Sequence, residues 1–259
     1  MKTIIQNKIK ELESEHHIKI LFALESGSRA WGFSSTDSDY DVRFIYVRPL
    51  NEYLKIDSAE DFFDFPINNE LDLNGWDLKK FFKLLYASNA TTFEWMQSPI
   101  FYQKETFFYY VISDLLPKFY CQQTLMHHYL GLVKKRLDTL NAEEIKLKNL
   151  FYILRSLLSA KYCSVKNVYP PMEFKDLIFL IDDEKISMEI EKLRLIKAEV
   201  TESYITSISN ELFLYITSLF EDLSKIDKTK TKGLFDVALL NTTYLKLLQD
   251  ANDRFFKGK

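Results

Sequence analysis

The 259-residue chain has the composition of a compact protein with a sizeable core, since 47% of its residues are hydrophobic, 27% are charged, and it has only 6 Gly and 6 Pro. Its formal net charge of -3 excludes a uniformly basic surface for nucleic acid. The charges are nevertheless segregated: residues 56–78 contain seven acids and no base, whereas residues 131–166 contain eight bases and three acids. We expect the first segment to suit cations and the second to suit phosphates.

No segment of the sequence predicts membrane insertion or secretion. The longest uncharged stretch, residues 119–133, is too short to span a bilayer, and residues 1–10 lack the apolar run of a secretory signal. We therefore expect a cytoplasmic protein without membrane contact. Cys121 and Cys163 have neither the spacing of a zinc site nor the density of a disulfide framework, so we expect reduced core thiols.

The N-terminal part of the chain mixes strand and helix patterns. Apolar and β-branched runs at residues 18–24 and 42–47 predict two strands. Glu70-Leu71-Asp72-Leu73 alternates charge and leucine, which predicts a third strand that we expect Asn74-Gly75 to break. A helical pattern follows from residue 76.

Helical periodicity dominates the rest of the chain. We expect a helix after residue 76, with Asp77 stabilising its N-terminus. Further helices are predicted over residues 107–116, 122–140, 143–162, 174–181 and 235–256. The resulting prediction is an α+β protein: an N-terminal α/β domain with a small mixed sheet over residues 1–100, followed by a helical domain over residues 101–259.

The segment between the first two predicted strands has the features of a phosphate-binding turn. Gly27 lets the backbone approach a ligand closely, and Ser28 offers both a hydroxyl and an amide to phosphate oxygens. A helical turn after them would point further amides in the same direction. Arg29 could contact phosphate too, or it could brace the acidic turn that follows.

A pair of aspartates at the start of the second predicted strand indicates a cation site. Asp39 and Asp41 are two residues apart and so share a face, and carboxylates suit Mg²⁺ or Mn²⁺. We expect Asp72 of the third strand to complete the site, with Glu70 as the alternative because it would share that face. Taken alone, an Asp-rich turn is as well explained by solvated turn residues. The joint pattern favours the cation site.

These residues resemble a known family. Gly27-Ser28, ten intervening residues and then Asp39-x-Asp41 resemble the defining motif of polymerase-beta-like nucleotidyltransferases. Residues 72–80 and 93–99 resemble one branch, the predicted RNA-repair-associated nucleotidyltransferases, also called RNA-ligase-associated polymerases. Residues 148–158 are similar to a basic helix of the same branch, so the resemblance covers most of the chain.

The resemblance implies a role for each residue of the motif. Gly27 and Ser28 would bind the triphosphate of a nucleotide, Asp39 and Asp41 would bind metal, and Asp72 would be the third carboxylate. A nucleoside triphosphate would lie between the two predicted domains.

The basic helix that matches the family would face the phosphates. Its candidates are Lys148 and Arg155, which lie seven residues apart on one helical face, with Lys146 beside them. The alternative is an ordinary solvated stripe opposite an apolar core. His127 and His128 could bind a base or a phosphate, but adjacent helical residues point to different faces, so we expect one of them to be structural and neither to bind metal.

The implied reaction moves a nucleoside monophosphate from a nucleoside triphosphate such as ATP to a hydroxyl acceptor. The family context favours an RNA 3′ end. Adenylylation of a partner protein, as in the small MNT proteins of the same superfamily, is the main alternative. A nucleotide-sensing or partner-binding module without catalysis is another. The sequence leaves the nucleotide, the acceptor and the oligomeric state open.

Overall fold

The computed structural model describes residues 1–57, 59–68, 70–226 and 235–257 of the chain. These residues form two compact units, and each unit is built from separate segments of the sequence. The first contains residues 1–26, residues 39–119 and the described residues from 235 onward, and the second contains residues 27–38 and the described residues from 120 to 226. This division in space differs from the single boundary near residue 100, and the domains 1–100 and 101–259 stay predictions.

The first unit contains a five-stranded mixed sheet. Its strands are β1 (Lys19–Glu25), β2 (Tyr40–Val47), β3 (Phe62–Asn68), β4 (Leu71–Asp77) and β5 (Phe101–Lys104). The strand order is β3-β4-β2-β1-β5, with β2 and β4 parallel and the other neighbours antiparallel. The small mixed sheet and the helices around it confirm the predicted α+β class.

The chain is rich in helices. In chain order they are α1 (Lys2–Glu15), α2 (Gly27–Trp31), α3 (Leu78–Tyr86), α4 (Ala90–Met96), α5 (Thr106–Leu115), α6 (Gln122–Lys134), α7 (Leu147–Lys166), α8 (Glu184–Glu199), α9 (Asn210–Lys225) and α10 (Val237–Ala251). Helices α2 and α6 to α9 belong to the second unit and the others to the first. Within the described ranges, none of these helices is long and apolar enough to cross a bilayer.

Helix α1 was not predicted, although it closes one side of the sheet. Its buried residues Ile5, Ile9 and Leu12 follow a helical spacing and pack with Phe44 and Tyr46 of β2 in one hydrophobic cluster. Polar and charged residues separate these three positions, so the short apolar face was not identified in the sequence. The cluster stabilises the sheet from which the candidate site projects.

The expected break at Asn74-Gly75 is wrong, because β4 runs through both residues to Asp77. Gly75 pairs in register with Phe44, and a Cβ atom at Gly75 would lie 2.1 Å from Phe44 Cε2. The glycine is therefore required by the ring that lies over it and not by a turn. The predicted helix start is confirmed, since the Asp77 side chain accepts a hydrogen bond from the Lys79 amide and caps α3.

Several helices of the C-terminal half begin or end at residues other than those expected. The predicted helix over 143–162 begins only at Leu147, because Ile145–Lys146 form strand β6, which pairs with β7 (Ile205–Thr206). Such pairing between distant residues leaves no periodic signal in the sequence. The other differences are that α6 ends at Lys134, that residues 174–180 form short 3-10 turns, and that α10 is followed by a π-helical turn, Asn252–Phe256.

Candidate active site

The parallel pairing of β2 with β4 places two of the predicted carboxylates side by side. Asp41 pairs in register with Asp72, and paired residues on neighbouring strands project from the same face of a sheet. Both carboxylates accept hydrogen bonds from one guanidinium: Arg43 Nη2 donates to Asp41 Oδ1 at 2.9 Å and to Asp72 Oδ2 at 2.7 Å. The structure thus brings Asp41 and Asp72 together around a cationic group.

Glu70 does not share the face of Asp72, which corrects our expectation. It precedes β4, its backbone is left-handed with φ of 69°, and its side chain is exposed. Its carbonyl accepts a hydrogen bond of 2.7 Å from the Tyr40 amide. Asp72 and not Glu70 therefore lies beside Asp41, because Asp72 pairs in register with it.

The carboxylates of Asp72 and Asp39 add negative charge close to Asp41. Burial raises the pKa of the Asp41 carboxyl above its usual value, the charge of Arg43 opposes this shift, and the charges of Asp72 and Asp39 reinforce it. Asp39 is exposed and lies directly before β2. The charge of Arg43 thus opposes the repulsion between Asp41 and Asp72.

This donor set suits a hard divalent cation. Carboxylate oxygens are the ligands that Mg²⁺ and Mn²⁺ prefer, and Asp41 with Asp72 already holds one positive group, the guanidinium of Arg43. In the described part of the chain, no three His, Cys, Asp or Glu side chains converge as a ready metal cage. Arg43 takes the place of a counter-cation, and metal binding by Asp39, Asp41 and Asp72 stays a prediction.

We expect Arg43→Met to lose about 2 kcal/mol of unfolding free energy without divalent cations, because two neighbouring carboxylates would lose their shared partner. Millimolar Mg²⁺ should raise the melting temperature of this variant more than that of the unchanged protein, since the guanidinium no longer competes for the carboxylates. Thermal unfolding at matched ionic strength measures both effects. Arg194→Met, which removes an arginine paired with Glu191, is the control. Equal gains from Mg²⁺ in all three proteins would contradict the site.

Sequence reasoning missed Glu25, the last residue of β1. Its side chain is fully buried; Oε1 accepts a 2.9 Å hydrogen bond from the Asp41 amide, and Oε2 accepts one from the Tyr102 hydroxyl. The Ser26 amide donates to the Asp41 carbonyl at 2.8 Å. The end of β1 therefore fixes the backbone on both sides of Asp41. An acid at the end of an apolar strand, two residues before Gly27, was the available signal.

Tyr102→Phe should cost about 1–2 kcal/mol of unfolding free energy, because the buried Glu25 carboxylate would lose a hydrogen-bond donor. Chemical denaturation measures this loss. Tyr110→Phe, at a side chain that is 68% exposed, serves as the matched control and should leave the midpoint unchanged. If the two variants unfolded at the same denaturant concentration, Tyr102 would not support Glu25.

The predicted phosphate turn, which belongs to the second unit, is internally hydrogen-bonded. Gly27 begins α2 with φ of 59°, a conformation that glycine adopts without strain. Ser28 is buried, and its hydroxyl donates to Ser38 Oγ at 3.2 Å, while Arg29 Nη2 donates to the Ser38 carbonyl. Ser28 and Arg29 are thus both tied to the residue just before Asp39.

The two bases of the predicted basic helix have different surroundings. Lys148 is 38% exposed and forms an ion pair with Glu202. Arg155 is only 3% exposed; its guanidinium lies 4.3 Å from the centre of the Trp31 ring, and Nε donates to the Met172 carbonyl at 3.2 Å. Arg155 therefore braces α2 through Trp31, and its role in nucleotide binding stays a prediction.

The remaining basic candidates lie outside the expected helical stripe. Lys146 is exposed and belongs to β6. His127 is exposed on α6, and the His128 ring lies 5.3 Å from that of Tyr129.

Comparison with known proteins identifies the family. Residues 1–246 match RlaP, the RNA repair pathway DNA polymerase beta family. The uncharacterized protein YcgL of Bacillus subtilis (strain 168) is 36% identical over 195 residues, which cover 74% of this chain and 75% of that protein. A crystal structure of a nucleotidyltransferase-like protein from Exiguobacterium sibiricum 255-15 aligns with 96% of this chain and 81% of its own, at 13% identity and a TM-score of 0.34, a similarity too low to support an argument. The match to the family and to YcgL shows that this chain belongs to the RNA repair pathway DNA polymerase beta family and is a polymerase-beta-like nucleotidyltransferase.

Proposed function

We propose that the protein transfers a nucleoside monophosphate from a nucleoside triphosphate to the hydroxyl at the 3′ end of an RNA, with Mg²⁺ or Mn²⁺ as the cofactor. The observation that carries the proposal is the register of Asp41 with Asp72 on parallel strands, with both carboxylates gathered around one positive group. The family's description as part of an RNA repair pathway supports an RNA acceptor.

The carboxylates divide the work of the reaction. Asp39 and Asp41 would hold a divalent cation together with Asp72, and the bound cation would neutralise charge on the triphosphate oxygens. Asp72 accepts the proton of the acceptor hydroxyl as the hydroxyl oxygen forms its bond to the α-phosphorus. The bond from the α-phosphorus to the oxygen bridging to the β-phosphate breaks, and pyrophosphate leaves with that oxygen. Glu25 keeps the Asp41 backbone in place during these steps.

Gly27 and Ser28 of the sequence motif are the candidates for binding the leaving phosphates. We assign the buried hydroxyl of Ser28 and the backbone at Gly27, which has a positive φ, to the β- and γ-phosphates. This assignment rests on the family motif and on the chemistry of these groups.

The direct test uses each of the four α-³²P-labelled nucleoside triphosphates, with Mg²⁺ or Mn²⁺, and two RNA oligonucleotides of one sequence. One RNA ends in a 3′ hydroxyl and the other in a 3′ phosphate, so that only the first offers the attacking oxygen. We expect the first RNA alone to gain label and length, and Asp41→Asn to abolish the gain. Absence of carboxylate-dependent transfer to any acceptor would reject the proposal and favour a nucleotide-sensing module.

A protein hydroxyl is the second candidate acceptor. The net charge of -3 favours it, because the chain lacks the uniformly basic surface that would attract RNA without regard to sequence. The same labelled nucleotides, incubated with cell extract, distinguish the two. Label that resists nuclease and is removed by protease would assign the enzyme to protein nucleotidylation.

A further inference from the structure

A chain of hydroxyl groups in the second unit ends on a carboxylate. The Ser28 hydroxyl donates to Ser38 Oγ at 3.2 Å, and the Ser35 amide donates to the same oxygen at 2.9 Å. Ser38 in turn donates its proton to Glu202 Oε1 at 3.0 Å. Ser28, which is predicted to bind phosphate, is thus linked through the Ser38 hydroxyl to the carboxylate of Glu202.

Two lysines add positive charge around the same carboxylate. Lys148 Nζ donates to the other oxygen, Glu202 Oε2. Lys197 of α8 is 1% exposed and donates to Ser35 Oγ at 2.7 Å. Burial lowers the pKa of the Lys197 ammonium, and the charge of Glu202 opposes that shift. A buried ammonium requires nearby negative charge, and Glu202 and Asp37 both supply it.

The backbone presents Glu202 to these donors. Its amide donates to Asp37 Oδ1 at 2.8 Å, and the Thr36 amide donates to the Val200 carbonyl at 3.1 Å. These bonds hold the segment after α8 against the segment after α2. The Glu202 side chain is 26% exposed, so an anion from solvent can reach and replace it.

We propose that Glu202 occupies an oxyanion site whose donors are Ser38 and Lys148, close to the charge of Lys197, and that a phosphate group of the triphosphate displaces it. The identity of this anion as nucleotide triphosphate rests on the proposed function. Carboxylate and phosphate oxygens both accept charge-assisted hydrogen bonds, and a phosphate group has more oxygens that can accept them. The exchange therefore preserves the bonds from Ser38 and Lys148 while Glu202 turns to solvent.

In the free protein, the Glu202 side chain therefore competes with the phosphate ligand for the oxyanion site. The apparent affinity for a polyphosphate is reduced by the fraction of molecules in which Glu202 fills the site. Removing the negative charge of Glu202 should strengthen polyphosphate binding, whereas removing a donor should weaken it. A side chain that serves only to hold the fold would weaken binding, or leave it unchanged, when substituted.

Calorimetric titration of the full chain with inorganic tripolyphosphate, in the presence of EDTA, tests this inference without any reaction. We expect Glu202→Gln to bind about three- to ten-fold more tightly than the unchanged protein, and Lys148→Met and Ser38→Ala to bind more weakly by a similar factor. Glu199→Gln, which removes an exposed acid at the end of α8, is the matched control for net charge. Tripolyphosphate binding to Glu202→Gln that is no tighter than to Glu199→Gln would overturn the inference.

A second variant tests whether the Glu202 side chain must reach both donors. Glu202→Asp keeps the charge but shortens the side chain, so it should reach only one of the two donors and bind tripolyphosphate with intermediate affinity. Tighter binding in the expected order without any nucleotidyl transfer would retain the oxyanion site and reject the proposed function. Nucleotidyl transfer by the unchanged protein, with equal tripolyphosphate affinity in all Glu202 variants, would support the proposed function and reject the oxyanion site.

Discussion

Asp41→Asn and Asp72→Asn should each lower nucleotidyl transfer by about 10³-fold or more, because each removes a negative charge that binds the cofactor cation or accepts the acceptor proton. Asp41→Asn should not lose stability. Burial and the charges of Asp72 and Asp39 raise the pKa of Asp41, so the fold disfavours its charged form. A neutral amide at this position relieves the repulsion.

The measurement pairs kcat/KM for transfer with urea unfolding of the same preparations. Asp114→Asn, at a surface aspartate paired with Lys118, is the control and should retain both activity and stability. A variant that kept full transfer activity would remove its aspartate from the mechanism. A parallel loss of stability and activity would show that the carboxylate pair serves the fold instead.

Gly75→Ala should destabilise the protein by about 3 kcal/mol, because the new Cβ atom would lie 2.1 Å from the Phe44 ring. The ring belongs to the buried cluster beneath the sheet and is itself fully buried, so it has little room to move. Transfer activity should fall as well, since the β2 and β4 pairing that holds Asp41 beside Asp72 would be displaced. Denaturant unfolding and a transfer assay measure the two effects.

Two further variants identify steric conflict as the cause. Gly131→Ala in α6, where no heavy atom lies within 4 Å of the new Cβ, should be neutral or stabilising by about 0.5–1 kcal/mol. The double variant Gly75→Ala/Phe44→Leu should lose less stability than the sum of the losses in the two single variants, because the smaller side chain makes room for the new Cβ atom. If Gly75→Ala behaved like Gly131→Ala, the close packing of Phe44 on β4 would be refuted.

Local signals predicted much of the fold. Strands β1 and β2 were predicted from apolar runs, and the start of α3 was predicted from the capping residue Asp77. These signals, like the spacing of Gly27-Ser28 from Asp39, depend only on residues close in sequence. Helix α1 was missed because only three of its residues are buried and polar or charged residues separate them in the sequence. Residues Asn74-Gly75 were misread because a glycine that accommodates a ring has the same local sequence as a glycine in a turn.

The candidate site divides in the same way. The sequence by itself determined the family motif and the residue types that suit phosphate and metal, because these are set by spacing along the chain. Only the tertiary structure decided that Asp72 and not Glu70 stands beside Asp41, since the register of two parallel strands depends on which residues pair across the sheet. The same holds for the contacts of Glu25 with Tyr102 and of Ser38 with Glu202, which join residues far apart in sequence. No periodicity or propensity records such contacts, because packing and burial select them only after the chain has folded.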